Sequence, residues 1–147
     1  DGNNVANSLI ICGAILGMKI RIACPRGFEP NPQAFTKDCE INIEDSLEIF
    51  HDPFEAVKGA NVLYTDVWSS MGEEKEKNHK EKAFSGFVID SNLLKKAQSD
   101  AIVLHCLPAY RGKEITDEVF ESKNSRIFEQ AENRMHVQQA LLAHLLS

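Results

Sequence analysis

Between a polar opening, Asp1-Gly2-Asn3-Asn4, and Gly17, apolar residues recur at Val5, Leu9, Ile10, Cys12, Ala14, Ile15 and Leu16. That spacing predicts a largely buried helix ending at Gly17. The period then changes. Met18 to Cys24 (MKIRIAC) is a short β-rich run, stopped by Pro25-Arg26-Gly27. Asn31-Pro32 signals a short helix with proline in its first turn. Leu47 to His51 reads as a second strand. Asp52-Pro53 repeats the helix-start signal for Phe54 to Lys58, which Gly59 closes. Asn61 to Thr65 (NVLYT) is a third strand and Ala101 to His105 (AIVLH) a fourth, broken by Cys106-Leu107-Pro108. Between them, the mixed-sign run Glu73 to Lys82 suits a solvated helix face, and Ser91 to Ala97 an N-capped helix. Thr116 to Glu121 predicts a short helix. Gln130 to Leu146 predicts a long amphipathic one, with Val137, Leu141, Leu142, Leu145 and Leu146 on its apolar side.

Strands that alternate with helices predict an α/β fold. The expected form is a doubly wound, mostly parallel sheet flanked by helices in a Rossmann-like, three-layer arrangement. One step of the alternation is missing. A loop leading straight into a helix should follow a strand in a βαβ unit, and no strand precedes Asp1. A parallel sheet lacking a strand leaves backbone groups unpaired. The domain is therefore expected to be truncated at its N-terminal strand, with further residues upstream.

Composition narrows the class. A chain of 147 residues fits one domain with a sizeable core, and 43% hydrophobic with 26% charged residues is a globular balance. The net charge of -6 and pI near 5.4 disfavour nucleic acid and anionic membranes as partners. No apolar run is long enough to span a bilayer, and the opening lacks the basic-then-apolar form of a secretory signal. The four cysteines form no CxxC pair and no zinc pattern. Cys12, Cys24 and Cys39 read as small buried hydrophobes, and scattered thiols suit a reducing, cytoplasmic compartment.

Candidate chemistry collects at the carboxyl ends of the strands, where open α/β sheets bind ligands. Asp1–Asn4, Asp66-Val67-Trp68-Ser69-Ser70-Met71-Gly72 and His105–Arg111 should converge on one rim, with Glu132-Asn133-Arg134 at the start of the last helix. These residues offer what an amino acid needs. Asn4 can donate to a carboxylate and accept from an ammonium. Asp66 can pair with an ammonium, and Ser70 with the Met71 amide can complete a cradle. Cys106 brings a thiol, and Arg134 a planar fork for a carbonyl or phosphate oxygen. Taken singly, Asp66 reads as a turn cap, Arg134 as a surface cation, Cys106 as core and His105 as a satisfied structural histidine. Their combination outweighs those readings. No G-x-G-x-x-G and no G-x-S-x-G occurs, which disfavours a dinucleotide site and a nucleophile elbow.

D-G-N-N-V at residues 1–5, D-V-W-S-S-M-G at 66–72, H-C-L-P at 105–108 with Glu114, and E-N-R-M-H at 132–136 together resemble the ornithine carbamoyltransferases. They stand in the family's order, and the resemblance covers essentially the whole chain as the family's C-terminal, ornithine-binding domain (residues 1–147). It implies transfer of a carbamoyl group from carbamoyl phosphate to the δ-amine of L-ornithine, giving citrulline and phosphate. It also implies roles. Asn4, Asp66, Ser70 and Met71 hold the α-amino and α-carboxylate groups. Cys106 lies beside the δ-amine and, with Leu107, presents backbone carbonyls to the carbamoyl NH2. Arg134 polarises the carbamoyl oxygen. Cys106, Asp66 and Arg134 are thus the expected catalytic set, with no metal and no cofactor.

Two departures stand out. Tyr110 occupies a place where many members carry histidine. Nothing matches the family's S-x-R-T-R and H-P-x-Q segments, which belong to an N-terminal carbamoyl phosphate domain. That domain is the expected partner, full-length members are usually trimers or multiples of trimers, and the 147 residues alone are expected to turn over negligibly. The alternatives are a carbamoyltransferase for another amine, such as putrescine or a modified ornithine, and a non-catalytic amino-acid-binding module. Ser70-Met71-Gly72 favours an α-amino acid.

Overall fold

A computed structural model describes residues 1–31, 43–69 and 77–147. Asn3 caps the first helix, α1 (Asn4–Ile15), by accepting a hydrogen bond from the Ala6 amide at 2.9 Å. Gly17 at φ +69° then turns the chain out of the helix, a conformation that costs glycine little. Strand β1 (Ile20–Ala23) follows and pairs in parallel with β2 (Leu47–Phe50), Ile20 opposite Leu47 and Ala23 opposite Phe50. Strand β3 (Val62–Thr65) pairs in parallel with β4 (Ile102–His105), Val62 opposite Ile102 and Thr65 opposite His105. The parallel α/β architecture anticipated from the sequence is present, as two parallel strand pairs flanked by helices.

Short helices lie between the strands, α2 (Pro53–Ala56), α3 (Lys77–Ala83) and α4 (Ser91–Leu94), and α5 (Asp117–Phe120) follows β4. Asp52 and Thr116 cap α2 and α5 where the sequence signals them. The cap of α4 is Asp90, one residue before the expected Ser91, and its carboxylate accepts from the Leu93 amide at 2.8 Å. The last helix, α6, runs from Ile127 to Leu146, three residues longer at its start than the apolar pattern predicts. Ile127 is fully buried, so the core claims this first turn even though Arg126 provides no side-chain cap. Glu132-Asn133-Arg134 therefore lies one turn inside the helix rather than at its start.

The main core joins Leu63 and Val103 of the β3–β4 pair to Val57, Ile89, Leu93, Ala101, Ile115, Val119, Phe120 and Ile127. A second apolar cluster stacks Phe84, at the end of α3, on Phe28, Trp68 and Phe87.

Burial departs from expectation in three places. Of α1, only Ile10 and Gly13 are buried, and Leu9, Ile15 and Leu16 are exposed. The helix lies on β1 along a narrow line: a Cβ on Gly13 would sit 2.4 Å from Ile20 Cδ1. Cys12, on the other side, is exposed, whereas Cys24 is completely buried as anticipated. In the charged run, Lys80 is buried rather than solvated, because Asp1 pairs with it at 2.9 Å. The helix expected after Asn31, the side chain of Cys39 and the run Glu73–Glu76 lie outside the described residues. No described helix is long and apolar enough to cross a membrane.

Candidate active site

The residue after β3 and the residue after β4 meet. Cys106 Sγ donates to Asp66 Oδ1 at 2.9 Å, and the Val67 amide donates to the same oxygen at 2.7 Å. The other carboxylate oxygen, Oδ2, accepts from Asn3 Nδ2 at 3.1 Å. Asn3 thus uses both ends of its amide, one to cap α1 and one to hold Asp66. The three rim segments converge as the strand order requires, through Asn3, Asp66 and Cys106.

The opening loop is held tightly. The Gly2 amide donates to Phe28 O at 2.8 Å, and a Cβ on Gly2 would lie 2.4 Å from Pro30 Cα. The Asp1–Lys80 pair ties this loop to α3, with both side chains nearly excluded from solvent at 12% and 8% exposure. Trp68, in the segment after Asp66, packs against Phe84 at the other end of the same helix.

The turn after β4 is braced from behind. His105 is 1% exposed and its Nδ1 accepts from the Leu107 amide at 2.8 Å. That leaves the ring proton on Nε2, which donates to Glu114 Oε1 at 3.1 Å; Glu114 is equally buried. The same oxygen accepts from the Tyr110 amide. His105 is therefore the satisfied structural histidine that its setting suggests, and Glu114 organises the turn. Leu107 takes φ +58°, unusual for a residue with a Cβ, and the hydrogen bond its amide donates to His105 Nδ1 helps hold it there. Tyr110 is half exposed, with the Lys113 ammonium above its ring.

Electrostatics assign the proton between Cys106 and Asp66. Burial, then the hydrogen bond to Asp66 and its negative charge, push the Cys106 thiol up to about 12. Tyr64, in hydrogen-bonding contact with Cys106, is also pushed up to about 12, first by burial. The resting cysteine is a thiol that donates. Between these two side chains, Asp66 is the hydrogen-bond acceptor and Cys106 the donor.

No described contact joins the other expected residues to this pair. Asn4 is the exposed first residue of α1, beside Asn3. Leu107 is partly buried against the core. Arg134 is exposed on α6, one turn beyond Gln130. Ser70 and Met71 lie outside the described residues. The sequence reading missed Asn3, Tyr64 and Gln130. Asn3 carried a signal, since either asparagine of the pair could cap the helix. Tyr64 and Gln130 carried none.

A family model described as aspartate/ornithine carbamoyltransferase, Asp/Orn binding domain, matches residues 1–145. A protein named ornithine carbamoyltransferase from Prochlorococcus marinus (strain MIT 9312) is 70% identical, over 100% of this chain and 48% of its own length. Among solved structures, the anabolic ornithine carbamoyltransferase of Campylobacter jejuni is 44% identical with TM-score 0.87, covering 99% of this chain and 48% of that one. The ornithine carbamoyltransferase of Pyrococcus furiosus is 47% identical with TM-score 0.86, covering 97% and 46%. The chain spans about half the length of the curated relatives it matches.

Proposed function

The chain belongs to the aspartate/ornithine carbamoyltransferase Asp/Orn-binding domain family, and we propose that it is the ornithine-binding half of an enzyme that carbamoylates the δ-amine of L-ornithine. The donor, carbamoyl phosphate, is gripped by an N-terminal domain of the same protein. The products are L-citrulline and phosphate. The observation that carries this reading is the Asp66 carboxylate fixed between Asn3 and the Cys106 thiol, at 3.1 and 2.9 Å.

Asn4 and Asp66, with Ser70 and Met71, hold the α-amino and α-carboxylate groups of ornithine. Three donors fix the orientation of Asp66 before substrate arrives, so little ordering remains to be done on binding. The δ-nitrogen attacks the carbamoyl carbon, the carbon–oxygen bond to phosphate breaks, and the nitrogen loses a proton. An alkylamine near its ordinary pKa costs about 4–5 kcal/mol to deprotonate at pH 7. The neutral amine is the attacking form; Asp66 accepts the proton that the nitrogen sheds as the carbon–nitrogen bond forms and its N–H becomes acidic, and Cys106 offers sulfur lone pairs to the amine while its own proton stays directed at Asp66. Cys106 and Leu107 present backbone carbonyls to the carbamoyl NH2. Arg134 faces the carbamoyl oxygen, where negative charge grows in the transition state. Holding both substrates together supplies much of the rate.

The full-length protein is read as a homotrimer or a multiple of trimers, working in the cytoplasm, where thiols such as the free Cys12, Cys24 and Cys106 stay reduced. The test is citrulline formation from carbamoyl phosphate and ornithine, by the full-length polypeptide and by residues 1–147 alone. The full-length protein should produce citrulline and the 147 residues almost none. Preference for putrescine or a modified ornithine over ornithine would overturn the substrate; binding of ornithine without any product would point to a non-catalytic module.

A further inference from the structure

Gln130 sits in the first turn and a half of α6 and uses both ends of its side-chain amide. Oε1 accepts from the backbone N–H of His105 at 3.0 Å, the last residue of β4. Nε2 donates to the phenolic oxygen of Tyr64 on β3 at 3.2 Å. One side chain therefore spans the carboxyl ends of both strands from which Asp66 and Cys106 emerge. Tyr64 in turn contacts the Cys106 thiol, so the polar path runs unbroken from α6 through Tyr64 and Cys106 to Asp66 and Asn3.

The entry to α6 is also tied down by the Arg126 amide, which donates to Val103 O at 2.9 Å, and by Phe128, packed edge-on against Phe120. Arg126, the cap residue, makes no side-chain cap bond. Ile127 is buried, but apolar burial is non-directional and tolerates rotation about the helix axis. From Glu129 onward, Gln130 aside, the helix is exposed. Hydrogen bonds are directional, and Gln130 makes two of them to different strands. Arg134 follows Gln130 by four residues, which puts the two on the same side of the helix, one turn apart.

We propose that Gln130 is a positioning residue: its bonds to His105 and Tyr64 set the rotation and height of α6 so that Arg134 stands in register with Cys106. This rests on the carbamoyl-transfer reading above. The residue touches neither substrate in this scheme. Its effect passes through Arg134, whose help is confined to the transition state, so its loss should appear in kcat rather than in ornithine binding.

The experiment compares Gln130→Leu, Gln130→Glu and Tyr64→Phe in the full-length protein, by steady-state citrulline kinetics and thermal melting. Gln130→Leu should lower kcat roughly 10- to 100-fold, as expected when a reacting group is misplaced by about an ångström, with the ornithine KM nearly unchanged. Gln130→Glu should recover most of the rate, because it still accepts from the His105 amide and can accept from the Tyr64 hydroxyl. Tyr64→Phe, which keeps the ring in place, should lose a few-fold in kcat, and the Gln130→Leu/Tyr64→Phe double variant should be no slower than Gln130→Leu alone. A folded Gln130→Leu protein with kcat within twofold of the unmodified enzyme overturns the proposal. So does a Glu variant as slow as the Leu variant, or a rise in ornithine KM that matches the loss in kcat. If Gln130→Leu does not fold, the phenylalanine variant decides: an unchanged kcat counts against the inference. Absence of citrulline from the unmodified protein overturns the carbamoyl-transfer reading itself, a different outcome from any of these.

Discussion

Cys106 donates a hydrogen bond from its thiol to Asp66 across 2.9 Å, joining the residues that follow two neighbouring strands. Burial and the adjacent carboxylate hold that thiol far above its ordinary value near 9, at about 12. The thiolate is what alkylating agents attack. At pH 8 in the folded protein, Cys106 should react with iodoacetamide at least about tenfold more slowly than exposed Cys12, and the two rates should converge in urea. Peptide mass mapping of the alkylated protein measures both.

The same shift has a thermodynamic sign. The thiol titrates near 9 when unfolded and near 12 when folded, so the folded state holds its proton more tightly. The stabilisation is complete below pH 9 and is lost as the pH rises toward 12. Tyr64, raised from 10 to about 12, acts in the same direction. The urea midpoint should fall as the pH goes from about 9 to about 11, and fall less in Cys106→Ser, which keeps a donor to Asp66 but does not titrate there.

Lys80 and Asp1 form an ion pair that is nearly closed to solvent. Removing one partner strands the other charge. Lys80→Ala should lower the unfolding free energy by about 3 kcal/mol, and Lys80→Arg by much less. Urea denaturation decides; a loss no larger than that of an exposed ion pair would contradict it.

Glu114 accepts from both His105 and Tyr110 in a setting that water does not reach. Glu114→Ala leaves the buried His105 ring N–H and the part-buried Tyr110 amide without their acceptor and should cost about 2–4 kcal/mol. Glu114→Gln keeps an acceptor oxygen and should cost less. In the full-length enzyme the alanine variant should also lose citrulline formation, since the turn carrying Cys106 and Leu107 loses its brace.

Gly2 has no room for a side chain: the atoms a Cβ would strike, Pro30 Cα and Glu29 O, belong to the backbone and cannot swing aside. Gly2→Ala should destabilise the domain by about 1–3 kcal/mol. It should also raise the ornithine KM of the full-length protein, by shifting Asn3 away from Asp66. An unchanged melting temperature would refute the first expectation.

The strands and turns of this domain were legible because their signals are local. Asp52-Pro53, Gly17 and Gly59 mark boundaries that the backbone respects, and the four strands lie within the runs that predict them. Burial was less legible, since it depends on what arrives from elsewhere in the chain. Apolar spacing in α1 suggested a helix covered on most sides, whereas contact is concentrated on a narrow line around Gly13. Lys80 looked solvated because its partner is 79 residues away. At the site, Asp66 and Cys106 could be brought to one rim because each directly follows a predicted strand. Gln130 could not, because a glutamine near a helix start has many surface explanations, and only its simultaneous contact with two strands gives it meaning.

Within these 147 residues, helix α6 is rooted like a cantilever at Arg126, Ile127 and Gln130, with the side chains beyond exposed. Arg134 stands about 6 Å from that root and Leu146 about 24 Å, at 1.5 Å per residue. A tilt of about 10° moves the tip by about 4 Å but the arginine by only about 1 Å, on the same rise. The guanidinium is therefore carried on the stiffest part of the beam, and disturbances at Leu145 and Leu146 reach it reduced about fourfold.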